Sequence, residues 1–286
     1  MLWYNVENFF HPEVDSVNRD TDFTPEGRYR WSYSRYHAKI DHIAQVIANA
    51  AGWNGVDVVG LCEVEDAKCL SDLCRRLSRF GYRWVHFDSP DPRGIDVALL
   101  YRPNCTLLDA RTIPCEMPNA TPTRDILYAC IRSPRADTVH LYLCHLPSQR
   151  GGYANTEPRR QAIKTLLQYE IDSLQQASAN AKIVVVGDMN SAPKSDLTGM
   201  CNPMVSLRKT TAQTTVQGTY KHQGRWSFLD QCYLSEDVSA KVEVYAPSYL
   251  LEEDERYLDV RPCRTFVGIR YRAGYSDHLP LLITFQ

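Results

Sequence analysis

Six short polar clusters punctuate the chain, each at the end of an apolar run: Asn5 with Glu7, Glu63, His145, Asp188 with Asn190, Asp230, and Asp277 with His278. A single carboxylate or histidine at such a place is usually a turn or cap residue. Six together fit a site built along the ends of strands, where a sheet fixes side chains while loops shape a pocket. The chemistry these residue types support is hydrolysis at phosphorus. A phosphoester anion repels hydroxide, so its hydrolysis needs a hard cation, a group that orients water, and donors for the charge on the phosphoryl oxygens. Glu63, Asp277 and the amide oxygen of Asn5 are hard oxygen ligands suited to Mg²⁺ or Mn²⁺. Asp188 with Asn190 is placed to hold the attacking water. His278 is the expected donor to the phosphate, with Asp230 fixing its tautomer and raising its pKa.

The elements that must position these groups alternate strand-like runs with helical periodicity, the pattern of an α/β protein. Ile40, Ile43, Ala44, Ile47 and Ala51 share one face of a helix over 33–51, which precedes a strand over 56–62. Leu70, Leu73, Cys74 and Leu77 stripe a second helix, for which Gly81 is the expected stop. Strands follow around 84–86 and 97–101, with one more near 127–131 inside a proline-rich, turn-like stretch. A strand over 140–144 ends at His145, a helix follows Pro158, and 183–186 is a strand apolar on both faces. The last third predicts strands near 228–234, 242–245 and 281–285, with the charged stretch 251–272 as a loop or excursion.

Composition bounds the rest. A chain of 286 residues without low-complexity linkers or repeats fits one domain, 1–286. The formal net charge of -2 lacks the strongly basic character of general duplex binders, though a local cationic groove remains compatible. Ten cysteines without C-x-x-C spacing, several inside apolar runs, predict reduced core thiols and a cytoplasmic setting rather than an exported one. No apolar stretch is long enough to span a membrane, the chain opens on a strand-like segment, and nothing implies a protein partner, so a monomer is expected.

The clusters occur in an order that resembles the endonuclease/exonuclease/phosphatase superfamily. The resemblance rests on Trp3-Tyr4-Asn5-Val6-Glu7-Asn8, Leu61-Cys62-Glu63-Val64, Gly187-Asp188-Met189-Asn190-Ser191 and Ser276-Asp277-His278-Leu279-Pro280. It implies a DNase I-like four-layer α/β sandwich of two mixed β-sheets flanked by helices. It further implies Glu63 as the central metal ligand with Asn5 at or beside the metal, Asp277 as a direct or water-mediated ligand, and Asp188 as the group that orients or deprotonates water. Asn190 would hold the phosphate or the water, and His278, paired with Asp230, would be the catalytic histidine. His145 matches the second histidine of the DNase I and sphingomyelinase branches, and Asp96, in Arg93-Gly94-Ile95-Asp96, is the candidate acidic partner for it. Cys62 stands where relatives often carry glutamine. The segments 145–152 and 264–268 resemble a bacterial subgroup of unassigned substrate.

Around this set, Ser148, Arg150 and the two glycines that follow suit a phosphate-gripping loop, balanced against a plain surface turn. Trp226 is expected to pack in the core rather than stack on a base. Arg264, with Lys221, Arg225 and Arg270, places positive charge in segments leading to Asp230 and Asp277. The remaining histidines have no partner in the motif set. Neither an H-E-x-x-H helix nor a G-x-S-x-G turn is present, which argues against a mononuclear zinc hydrolase and a serine hydrolase. The expected activity is Mg²⁺- or Mn²⁺-dependent phosphoester hydrolysis by in-line water attack on a phosphodiester, with nucleic acid or a nucleotide as the leading substrate. Alternatives are a phosphatase or phospholipase acting on inositol phosphates, phospholipid head groups or other small phosphoesters, and an inactive binding module of the same fold.

Overall fold

The structure is a computed structural model that describes all residues except 14–20, 51, 117–120, 136, 151, 192–207 and 210–215. In chain order the first half contains β1 (Leu2–Phe9), α1 (Tyr33–Ala50), β2 (Val58–Val64), α2 (Ala67–Arg76), β3 (Arg83–His86), β4 (Asp96–Tyr101), β5 (Thr106–Ile113), β6 (Ile126–Arg132) and β7 (Thr138–His145). The second half contains α3 (Tyr153–Ala177), β8 (Lys182–Asp188), β9 (Arg208–Lys209), β10 (Tyr220–His222), β11 (Arg225–Ser227), β12 (Asp230–Leu234) and β13 (Ala240–Val244). It ends with β14 (Leu251–Asp254), β15 (Asp259–Pro262), β16 (Phe266–Val267), β17 (Arg270–Tyr271) and β18 (Leu281–Phe285).

Two six-stranded mixed sheets form the middle layers. One runs β13-β18-β1-β2-β4-β3 and the other β5-β6-β7-β8-β12-β9. The period-two alternation of strands explains how they pack. In β6, β7 and β8, Leu127, Ala129, Ile131, Leu141, Leu143, Val184 and Val186 turn inward and share a core with the first sheet. Their neighbours Tyr128, Cys130, Tyr142, Cys144, Ile183 and Val185 turn outward against Ile163, Leu167 and Ile171 of α3. Helix α1 buries Ile40, Ile43, Ala44 and Ile47 on the far side of the first sheet. The order helix, sheet, sheet, helix is the expected four-layer α/β sandwich.

Two registers matter for the site. Parallel pairing of β7 with β8 sets His145 opposite Asp188, and antiparallel pairing of β8 with β12 sets Asp230 opposite Asp188. The ends of β7 and β8 and the start of β12 thus form a row of ionisable groups. Gly187 allows this: a Cβ there would lie 2.2 Å from the Cys144 carbonyl oxygen, so any side chain would push β8 away from β7. In the other sheet, β1 and β2 pair in register through Asn5 and Cys62, and then both bulge. Glu7, Asn8 and Glu63 take left-handed φ of 52°, 55° and 64°, as does Asn190 at 47°. Such angles are uncommon for residues other than glycine and collect where function holds them.

Four expectations need correction. The stretch before β6 contains a further strand, β5, whose half-exposed alternation and outward Asp109 and Arg111 disguise it as loop. The stretch 251–272 is not a loop but two hairpins, β14-β15 and β16-β17. Helix α3 begins at Tyr153, so Pro158 lies inside it, in the second turn, where its missing N–H forgoes the bond to the Ala154 carbonyl. Gly81 does take the left-handed conformation, but it closes a short 3₁₀ turn that follows α2. The nine described cysteines are free, and seven of them are buried. No described helix is long and apolar enough to cross a membrane. Ala51 and Gly151, counted above in a helix face and in the glycine-rich loop, lie outside the described residues.

Candidate active site

The strand-end row and the double bulge face each other across the sandwich. Asp188, 1% exposed, is the meeting point. Its Oδ2 accepts a hydrogen bond from Asn5 Nδ2 at 3.0 Å, and lies 3.7 Å from His145 Nε2 and 3.8 Å from His278 Nε2. Its Oδ1 accepts the Asn190 backbone N–H at 2.9 Å. His278 Nδ1 meets Asp230 Oδ2 at 2.7 Å, while Trp3 Nε1 donates to Asp230 Oδ1 at 2.9 Å. Asp230 is thereby held from both sides and directs the other imidazole nitrogen at Asp188.

Glu63, carried outward by its left-handed backbone, receives the Asn8 N–H on Oε2 at 2.9 Å, with Arg93 Nη2 3.6 Å from the same oxygen. Arg93 also donates to Asn8 Oδ1 at 2.7 Å. Glu63 Oε1 has no hydrogen bond among the described residues, its nearest ionic neighbour being His145 Nε2 at 3.9 Å. Asp277 is half-buried and no described donor reaches its carboxylate; its charge is felt by Glu7, Lys39 and His278. The loop around it is anchored from beneath. Ser276 Oγ donates to the Asn5 carbonyl at 2.7 Å and accepts the His278 N–H at 3.1 Å.

Burial and charge set the protonation states. Burial alone would lower His278, but Asp230 and Asp188 outweigh it and hold the imidazole well above its ordinary value. Burial, with Asp230 adding to it, pushes Asp188 upward, against the pull of His278 and its hydrogen bonds. Burial pushes Glu63 upward too, yet Arg93 and the Asn8 N–H bring it below the usual carboxylate range. His145 moves the other way. Burial, then Arg124 and Arg93, keep it far below 6.5 and therefore neutral.

The predicted set is thus brought together with one correction and some outliers. Asp96 does not pair with His145. Its Oδ1 accepts both the N–H and the hydroxyl of Ser89, and its Oδ2 faces His86 Nε2 at 3.4 Å, because β3 and β4 place His86 beside it. Asn5 uses its amide nitrogen on Asp188 and its oxygen on the Glu7 N–H, leaving one lone pair free. Asn190 donates from Nδ2 to the Leu146 carbonyl at 2.9 Å. Arg264 donates to the Lys221 carbonyl and lies 5.8 Å above the Tyr220 ring, whose centroid is 4.9 Å from that of His278. Arg150 is exposed, near enough to Tyr220 for its charge to be felt there, and Ser148 is half-buried in the same loop. Trp226 packs against the core's edge and bonds Asp259, as expected of a structural aromatic. Sequence reasoning passed over Arg124, Lys39 and Tyr220. None sits at the end of an apolar run or in a motif of the family.

The residues fit a hard cation. Glu63 Oε1 and the Asp277 carboxylate, which no described donor reaches, together with the Asn5 amide oxygen leave room for water and substrate oxygens, the usual surroundings of Mg²⁺. Compact clusters elsewhere, Glu65 with Asp66 and Cys69, and His86 with Asp88 and Asp96, are tied to local hydrogen bonds and lack this openness.

A family model described as "Endonuclease/Exonuclease/phosphatase family" matches residues 1–286. The chain belongs to that family. Its members are hydrolases acting on phosphoester bonds. No curated protein matches in sequence. Solved structures share the fold over the full length. An endonuclease/exonuclease/phosphatase from Bacteroides vulgatus aligns with TM-score 0.65 at 19% identity, covering 100% of this chain and 97% of that one. The mannosyl-6-phosphatase of Bacteroides thetaiotaomicron aligns with TM-score 0.66 at 14% identity, covering 100% and 98%. The human Nocturnin catalytic domain with bound sulfate aligns with TM-score 0.64 at 17% identity, covering 100% and 93%.

Proposed function

We propose that this member of the family is a divalent-metal-dependent phosphoester hydrolase that transfers the phosphoryl group to water in one in-line step. The observation that carries this is the convergence of His145 and His278 on one oxygen of Asp188, opposite Glu63. Glu63, Asp277 and Asn5 would hold Mg²⁺ or Mn²⁺, which when bound supplies positive charge to a phosphoryl oxygen. Asp188 orients the attacking water and accepts its proton, aligned by Asn5 and the Asn190 N–H. His278, held protonated by Asp230, donates from Nε2 to the phosphoryl oxygens as charge builds there. His145, neutral, adds a second donor from Nε2 without adding charge.

Phosphodiesters of nucleic acids or nucleotides are the substrate class we favour. Arg93 lies on the Glu63 side of Asp188, and Arg264 and Arg150 lie on the Tyr220 side, so cationic groups flank both ends of the reacting centre. Arg264 Nε is buried without a hydrogen-bond partner among the described residues, a donor in search of an acceptor. A small phosphomonoester is the second reading, favoured by the formal charge of -2 and by the Bacteroides thetaiotaomicron neighbour's name as a mannosyl-6-phosphatase.

The deciding test is turnover with Mg²⁺ and with Mn²⁺ against plasmid DNA, bis-p-nitrophenyl phosphate, a sugar 6-phosphate, inositol phosphates and sphingomyelin. Cleavage of the diesters, abolished in Asp188→Ala and His278→Ala, is expected. Wild-type turnover in either variant sinks the assignment.

A further inference from the structure

The two histidines of the site are oriented in different ways. His278 has a carboxylate on Nδ1, whereas His145 Nδ1 is buried without a hydrogen-bond partner among the described residues. The direction of the His145 ring therefore depends on its backbone and on packing. That backbone is gripped by one side chain. Arg124 Nε donates to the His145 carbonyl at 3.2 Å and Arg124 Nη2 to the Leu146 carbonyl at 2.8 Å, while Nη1 meets Asp91 Oδ2 at 2.8 Å. The Leu146 carbonyl also receives Asn190 Nδ2, and the next carbonyl, Pro147, receives Arg160 Nη1 at 3.0 Å.

Asp91 connects this grip to the opposite wall. Its Oδ1 accepts the Arg93 N–H at 2.9 Å and its carbonyl accepts the Gly94 N–H, closing the turn that aims Arg93 toward Glu63. The Arg124 and Asp91 side chains are 6% and 4% exposed, so no water competes for the fork. A guanidinium suits this task because it offers several donors in one rigid plane.

We propose that Arg124, locked to Asp91, is the positioning residue for His145 and Asn190, setting their distance from the Glu63 wall. The proposal rests on the hydrolase reading above for its catalytic consequence, but its structural half stands apart from it. Displacing a reacting group by about 1 Å costs about a hundredfold in rate, so the loss falls on turnover rather than on substrate binding.

The test compares Arg124→Lys, Arg124→Met and the charge-neutral double variant Arg124→Met with Asp91→Asn, on bis-p-nitrophenyl phosphate with Mn²⁺. The Asp91→Asn change keeps an acceptor for the Arg93 N–H, and removing both charges together avoids a lone buried ion. The double variant is expected to melt near the wild type, to lose about a hundredfold in kcat with KM within about threefold, and to show shifted His145 ring ¹⁵N–¹H resonances without metal. Arg124→Lys, which keeps the charge but not the fork, is expected to recover part of kcat. A folded double variant with wild-type kcat and unshifted His145 resonances overturns the proposal, as does a rise in KM alone. If the double variant does not fold, Arg124→Lys decides: wild-type kcat and resonances overturn the proposal, and a loss of about tenfold or more with intact melting supports it. If the wild type turns over no phosphoester, the hydrolase reading fails, and the His145 resonances still decide the positioning role.

Discussion

Asp230 divides its carboxylate between His278 Nδ1, at 2.7 Å, and Trp3 Nε1, at 2.9 Å, so β1 of one sheet braces the carboxylate that β12 of the other brings to the histidine. The pair sets the charge of His278, whose pKa it raises well above 6.5 against the effect of burial. Asp230→Asn keeps the shape and removes the charge. A histidine raised by folding gives stability that is full below its unfolded pKa and is lost as pH rises through the folded pKa. The variant should therefore be less stable by about 3–5 kcal/mol below pH ~6.5, with the gap narrowing in alkali. In the proposed mechanism the protonated ring is the donor, so the alkaline limb of kcat/KM should move to lower pH, with about a 10²- to 10⁴-fold loss of rate near neutrality. An unmoved limb would show that Asp230 does not tune His278.

Glu63 offers a similar test at the other wall. Glu63→Gln retains an acceptor for the Asn8 N–H, so the bulge and the melting temperature should persist. Calorimetric affinity for Mn²⁺ should fall by at least the roughly 10–100-fold seen for residues that merely support metal ligands. Equal affinity in the two proteins would remove Glu63 from the metal site and favour an inactive binding module.

Much of the candidate site is legible in the sequence because Glu63, His145 and Asp188 close apolar strands and Asp230 opens one, and the ends of neighbouring strands lie at a shared level. Their spacing could not reveal the bulge. Glu7, Asn8 and Glu63 adopt left-handed angles with no local preference for them, imposed by pairing between β1 and β2. Arg124 was hidden for another reason: it lies in a proline-rich stretch, and its partners Asp91, His145 and Leu146 are 20 or more residues away. Asp96 was assigned to the wrong histidine because sequence order says nothing about which strand lies alongside, and β3 places His86 there. Among secondary elements, β5 and the two late hairpins escaped because edge strands with outward charges carry too little apolar periodicity.

Lys39 shows what helical periodicity conceals. It lies on the buried face of α1 and donates to Thr265 Oγ1 at 2.6 Å and to the Tyr275 carbonyl at 2.7 Å, while Glu7 accepts the N–H groups of Thr265 and Phe266. Burial draws its ammonium down to about 8, against Glu7, Asp277 and Glu63. The unfolded chain thus holds a proton between pH 8 and 10.5 that the folded chain has shed, and stability rises with pH across that window. Lys39→Met should destabilise the fold at neutral pH by removing the positive charge that offsets buried Glu7, and adding Glu7→Gln should recover much of the loss. Denaturant titrations at pH 8 and 10 would check the sign: a Lys39→Met protein with the wild-type pH slope would refute the assignment.

Arg264 separates the two substrate readings. Its backbone neighbours are pinned by Glu7, its Nη2 is spent on the Lys221 carbonyl, and its Nε remains buried and unpartnered beside the Tyr220 ring that abuts His278. A guanidinium so placed lies beyond the ring from the reacting centre, where the next phosphate of a polymer or the second half of a diester would fall. Arg264→Ala should raise KM for plasmid DNA or an oligonucleotide about tenfold, the worth of one charged hydrogen bond, with kcat changed little. A small monoester has no group to reach that far and should be turned over equally by both proteins. Equal loss on both substrates would place Arg264 on the reacting phosphoryl group instead, and loss confined to the monoester would overturn the preference for diesters.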